Sequence, residues 1–256
     1  MNRCIFCLSE TNSFSRVEHI IPESMGGDQI ALPGLVCDNC NQYFGKEVER
    51  VALASPVLAF ERSSLCIPTK KGKYSSYQDS QFSQFKILGQ PSGEPEVRFP
   101  PEELKHIRKH GRGQMRVPIK DLGAITRLLL KMGLEFLAIS EQADVYSSAF
   151  DGARKAARAP DPGVRWPLAY GSLRVEDGIV EVGEDEEGPY EEELVYNYKI
   201  VLSPQFDLYV FYFCYGLFTF LVPLNQRVFQ AAVRQLNEEN PQYYHLSLMQ
   251  VDLLGG

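Results

Sequence analysis

No apolar run of signal-peptide length opens the chain. It begins MNRCIFCLSE, so export is not expected and a cytoplasmic location is. No repeat of fixed period runs through the 256 residues, which excludes solenoids and propellers. Net positive charge is lacking too: the sum is −7, which for the whole chain argues against a nucleic-acid partner. The sum hides an asymmetry, however. Residues 1–120 carry +3 and residues 121–256 carry −10, so a phosphate-binding surface belongs to the first half. Disorder is excluded by a hydrophobic share of 44% against 23% charged residues.

Charge is absent from one long stretch, Leu208–Gln226 (LYVFYFCYGLFTFLVPLNQ), whose 19 residues approach bilayer-spanning length. Its aromatic and β-branched content, with Gly216 near the middle and Pro223 and Asn225 at the end, reads instead as a buried β-hairpin. No membrane partner is expected. The acidic run Gly183–Glu193 reads as a solvated loop.

Six cysteines are present, four of them in two close pairs, CIFC (Cys4, Cys7) and CDNC (Cys37, Cys40). A Cys-x-x-Cys turn lets two thiolates reach one ion, and two such turns complete a tetrahedral zinc site. In a reducing compartment this outweighs a disulfide framework. Cys66 and Cys214 stand alone and read as small buried hydrophobes. The 29 residues between Cys7 and Cys37 exceed ordinary zinc-ribbon spacing, and the insert holds RVEHIIPESMGG, with Glu18 directly before His19. Four cysteine ligands leave a zinc ion no open position, so chemistry would need a second centre. Imidazole takes up protons near neutrality, and a carboxylate with an amide oxygen suits Mg²⁺. Asn41 follows the last cysteine of the knot, at the expected start of a helix, where it would also serve as a cap.

The run of Cys-x-x-Cys, EHIIPESMGG and VCDNCNQYFGK resembles the HNH nuclease family in its four-cysteine, zinc-stapled form, over roughly residues 1–50. The resemblance implies a ββα fold around one catalytic metal and hydrolysis of phosphodiester bonds, leaving 5′-phosphate and 3′-hydroxyl ends. By position it makes His19 the general base and puts Glu18 and Asn41 on Mg²⁺ or Mn²⁺, with Cys4, Cys7, Cys37 and Cys40 on structural zinc. The sequence departs from the family at Leu32, where many members have a bracing asparagine. The Pro33-Gly34 turn is expected to brace the loop instead. Gly26 and Gly27 are read as serving loop geometry. Restriction or phage defence is the setting the family suggests. The competing reading is a non-catalytic zinc-ribbon module that docks on nucleic acid or protein. Glu18-His19 separates the two, because a binder has no use for a base beside a metal-binding carboxylate.

The expected fold class is α+β: an HNH unit at 1–55, a connector at 56–120 and a mixed C-terminal domain at 121–256. Short strands are expected around Ser15–Ile20 and Leu32–Val36, then a helix from Asp38–Asn41 to just before Pro56. Helical spacing marks Leu122–Ser140 and RVFQAAVRQLNEEN, while GSLRVEDGIVEVG and LVYNYKIVLS read as strands. The connector ends in KHIRKHGRGQMR. There Lys105, Arg108, Lys109 and Arg112, with Lys46 upstream, are the candidate contacts to a nucleic-acid backbone. His106 and His110 stand four apart, but Gly111 and Gly113 argue against a long helix that would make them a metal pair. DNA is the expected partner, with RNA left open. The apolar hairpin and terminal helix offer a surface to a second copy or a partner protein.

Overall fold

The computed structural model describes residues 2–27, 30–69, 71–79, 84–111, 117–140, 142–172, 196–226, 229–239 and 246–254. The acidic run at 183–193 and Arg112 lie outside them.

The chain up to Cys37 winds around the two cysteine turns before a helical stretch begins. It comprises α1 (Asp38–Tyr43), a π-helical segment (Phe44–Glu49) and α2 (Arg50–Ala54), then α3 (Pro56–Ser64) beyond a break at Ser55. Cys40, Phe44, Val48 and Ala52 are all fully buried at a spacing of four. An α-helix of 3.6 residues per turn would rotate that row away from the core, and the wider π turn brings it back. The strands expected around Ser15–Ile20 and Leu32–Val36 do not form. Their pairing is reduced to a bridge between His19 and Ala31, with Leu32 N–H donating to the Glu18 carbonyl at 2.8 Å. Pro22 and Pro33 have no N–H to give and cut the ladder at both ends.

A three-stranded antiparallel sheet follows, β1 (Ser76–Gln78), β2 (Lys86–Leu88) and β3 (Glu96–Arg98), with Phe60 of α3 packed on Tyr77, Phe85 and Ile87. Then α4 (Pro101–His110) buries none of its side chains and stops at Gly111.

The helix α5 (Leu122–Ser140) has the bounds that its spacing predicts. It is apolar nearly all round because it is covered nearly all round. α6 (Asp151–Arg158) packs beside it. Five antiparallel strands, β4 (Arg165–Ser172), β5 (Tyr196–Ser203), β6 (Leu208–Tyr215), β7 (Phe218–Pro223) and, after helix α7 (Phe229–Glu239), β8 (Ser247–Asp252), lie in the order β5-β6-β7-β4-β8. The charge-free stretch is the β6–β7 hairpin, and α7 is the expected terminal helix. Residues 173–183 of GSLRVEDGIVEVG and Leu194–Val195 lie outside the described residues. Among the described residues no helix is long and apolar enough to cross a membrane. Trp166, Leu168, Phe211, Phe213 and Val251 turn to α5, while Ala169, Val210 and Leu221 turn to Phe229 and Val233 of α7.

One core runs through both ends of the chain. Ile5, Ile20, Met25, Leu32, Phe44 and Val48 join Leu128, Leu129, Met132, Phe150, Trp166 and Phe213 in a continuous cluster. The molecule is thus a mixed α and β fold, with a helical N-terminal metal-knot region and a sheet-rich C-terminal part. Cys66 is buried as expected, while Cys214 is only half-buried.

A buried carboxyl ties α3 to the hairpin. Glu61 is 1% exposed and its Oε1 accepts from Leu217 N–H at 3.1 Å in the turn after Gly216. Gly216 has φ +53°, and a Cβ there would overlap the Glu61 carboxyl. Burial pushes the Glu61 pKa up to about 7 from 4.5. The folded state thus holds a proton that the unfolded chain releases at lower pH, and stability falls as pH rises from about 4.5 to about 7. Glu61→Gln keeps the acceptor and removes the charge. Thermal melts should show it raising stability at pH 8 by on the order of 3 kcal/mol, with little change at pH 4. Equal gains at both pH values would rule this out.

Candidate metal centre and the Glu18-His19 loop

All four thiols of Cys4, Cys7, Cys37 and Cys40 converge, with sulfurs within 4.8 Å of one another. Cys7 and Cys37 Sγ atoms are 3.7 Å apart. A tetrahedron with Zn–S bonds of about 2.3 Å has edges of about 3.8 Å, so the set fits zinc. None of the four is in a disulfide. A hydrogen bond from Cys40 lowers the Cys4 pKa to about 4 against burial, and the same contact together with burial pushes Cys40 well up. A metal ion in place of the shared proton relieves both.

The shell around the sulfurs supplies positive partners. Asn12 Nδ2 donates to Cys37 Sγ at 3.4 Å and to Cys7 Sγ at 3.6 Å, and Cys37 N–H donates to Cys4 Sγ at 3.5 Å. Arg158 of α6 lies beside Cys40 and near Cys7 and Cys37, and their charge raises its pKa although burial pulls the other way. Such donors offset the double negative charge of a zinc tetrathiolate. The knot is also clamped from the C-terminal half: Arg127 Nη2 donates to the Tyr43 hydroxyl at 2.6 Å, and the Tyr146 hydroxyl donates to the Arg3 carbonyl at 2.8 Å.

The loop with Glu18 and His19 lies against this knot. Asn41 sits inside α1, whose cap is Cys37, so the reading of Asn41 as a helix cap is overturned. Its Nδ2 donates to the Val17 carbonyl at 3.3 Å, which joins it to the residue before Glu18 and keeps its oxygen for another partner. The His19 ring is 27% exposed, with Nε2 4.0 Å from Glu23 Oε1, while Nδ1 is enclosed without a hydrogen-bond partner. An orphaned buried nitrogen costs about 1–3 kcal/mol, which fits a site that a bound ion or its water completes. Gly26 has φ +83°, and a Cβ on Gly27 would overlap Ile21. The glycine pair folds the loop back, as read from the sequence. Leu32 is buried in the core, and its main-chain bond to Glu18 does the bracing.

Glu18 is 6% exposed, and its described contacts fall on one oxygen: Oε1 lies 2.8 Å from Lys131 Nζ and accepts from His19 N–H at 3.3 Å. Lys131, from the middle of α5, was not foreseen at the site, nor were Glu49 and Glu135, which also hold it. Burial alone would depress the Lys131 pKa, but Glu135, Glu18 and Glu49 raise it, so the ammonium stays charged.

The candidate backbone contacts lie on the surface. Lys46 is exposed and pairs with Glu47 at 3.3 Å, and Lys105 pairs with Glu102 at 3.1 Å. Arg108 and Lys109 are exposed in the last turn of α4, where the His106 and His110 rings stand 4.5 Å apart.

Four converging cysteines, a Glu-His loop and an asparagine tied to that loop thus lie in the first fifty residues. In agreement, residues 4–55 match the HNH endonuclease family, about a fifth of the chain. No match was found among curated proteins, and none among solved structures.

Proposed function

We propose that the chain is a metal-dependent endonuclease that hydrolyses DNA, with His19 as general base and Glu18 and Asn41 holding a catalytic Mg²⁺ or Mn²⁺. The observation that carries this is the link from Asn41, next to Cys40, to the Val17 carbonyl, next to Glu18 and His19. It supports a shared edge of the zinc knot for two oxygen donors and a base. Bound there, the divalent ion would stabilise charge gathering on the phosphate and leaving oxygen. The chain's own residues do the rest. Glu18 and Asn41 present hard oxygens, and the His19 imidazole, held by main-chain bonds on both sides, accepts the proton of the attacking water.

The exposed Lys105, Arg108 and Lys109 of α4, together with Lys46, are suited to phosphate oxygens. Phosphate contacts carry no base information, so cleavage with little sequence preference is part of the proposal. A reducing cytoplasm, where the four thiols stay available to zinc, and a role in restriction or phage defence complete it.

Supercoiled plasmid provides the test. Zinc-loaded protein should nick it only when Mg²⁺ or Mn²⁺ is added. Glu18→Gln should lower the rate by about 10²–10³-fold, as when one electrostatic contact to a transition state is removed. Plasmid bound but left intact under every metal would favour a zinc-ribbon binding module.

A further inference from the structure

Lys131 is wholly buried, yet its ammonium sits in a cage of four oxygens: Glu18 Oε1 at 2.8 Å, Glu135 Oε2 at 3.0 Å, Glu49 Oε1 at 3.2 Å and the His19 carbonyl at 3.2 Å. Two of the four belong to the Glu18-His19 pair. We propose that Lys131 is a positioning residue of the nuclease site, a built-in cation from α5 that fixes the Glu18 carboxylate and the His19 backbone before the divalent ion arrives. This rests on the nuclease reading above.

Energetics argue against a merely structural ammonium. Removing a charge from water costs several kcal/mol per ion, and well-packed apolar residues in place of a buried ion pair are often neutral or stabilising. Leu130, Met132 and Leu134 show that α5 readily places apolar side chains in the same core. A lysine kept there has another task. Full burial also denies it a substrate phosphate, so it acts through its neighbours.

The geometry shows how it acts. A glutamate has three side-chain torsions, and an unbraced carboxylate would sample several directions. Lys131 engages Oε1 and leaves Oε2 for a second cation. Its bond to the His19 carbonyl, with the Ala31 bridge and the Leu32 bond to the Glu18 carbonyl, holds the main chain beneath the imidazole. Glu49 reaches the same ammonium from the π-helical segment, so the helical stretch that begins in the zinc knot is tied to the loop through one nitrogen. Outer partners of this kind typically govern metal affinity or activity by about 10–100-fold.

The test compares Mn²⁺ binding by electron paramagnetic resonance in zinc-loaded parent protein and in Lys131→Met/Glu135→Met, which removes the helix pair together. Zinc content should stay near the parent's and the melting temperature should fall as Glu18 loses its partner, while the Mn²⁺ dissociation constant rises about 10–100-fold. Turnover at limiting Mg²⁺ should fall with it, and KM for DNA should hold. Should the double variant fail to fold, Glu49→Gln, at a partly exposed carboxylate, should weaken Mn²⁺ in the same direction by a few-fold, an estimate below that range. A folded variant with the parent's Mn²⁺ constant overturns the proposal, and so does a parent that binds no Mn²⁺. A parent that binds Mn²⁺ but never cuts overturns only the nuclease reading, and the Mn²⁺ comparison still decides the role of Lys131.

Discussion

His19→Ala should lower plasmid nicking by about 10²–10⁴-fold while leaving zinc content and melting temperature near the parental values. The range is what a positioned base contributes, or about 3–5 kcal/mol of barrier. Stability should hold because this position is anchored through its main chain: the bridge to Ala31 and the bond from Lys131 to the carbonyl both survive truncation. The ring is 27% exposed and its partner Glu23 is 4.0 Å away, so little packing is lost. Single-turnover rates at saturating Mg²⁺ are the measurement. Parental rates from the variant would remove His19 from the chemistry, and with it the reading of the loop as a base-bearing site.

Loss of the structural metal should have the largest effect on the fold. Cys40→Ser, or removal of zinc by a chelator, should abolish protection of amides in residues 4–55 against hydrogen exchange and remove any cleavage. Zinc binding to small structural sites supplies about 10–16 kcal/mol, as much as the whole stability of an ordinary domain. Main-chain pairing orders the first forty residues only sparsely: among those described it is one bridge and a few isolated bonds, so the packing of Ile5, Ile20 and Met25 depends on the metal that gathers the buried Cys4, Cys37 and Cys40. The damage should spread to α5, whose Lys131 and Arg127 bind the His19 carbonyl and the Tyr43 hydroxyl. Mass spectrometry of exchanged peptides, read beside zinc content, checks this. A zinc-free protein that melts with the parent would show that packing alone orders the knot.

How much of this was legible in the sequence varies with range. The knot was legible because chelation by Cys-x-x-Cys is local, and α5 because its apolar spacing runs unbroken over Leu122–Ser140. The hairpin was legible from β-branched and aromatic residues around Gly216. The short strands were not, since the pattern suggested extension but Pro22 and Pro33 limit pairing to a bridge. The π turn was hidden because a spacing of four is close to helical in either form. The part of the site that sequence reasoning missed is its far wall. Lys131 lies 112 residues from His19, and periodicity marks a residue as buried without naming its partner. A signal was present: a lysine and a glutamate four apart inside LLLKMGLEFL, where a covered helix has no reason to place charge unless something answers it.

The shared core has a practical meaning for anyone who would borrow the metal-knot region. Ile20, Met25 and Phe44 are covered by the same cluster that holds Leu128 and Met132. A fragment ended at Ser55 would therefore bare an oily flank and aggregate. Grafts onto foreign targeting modules must carry the helix from Leu122 to Ser140 with them.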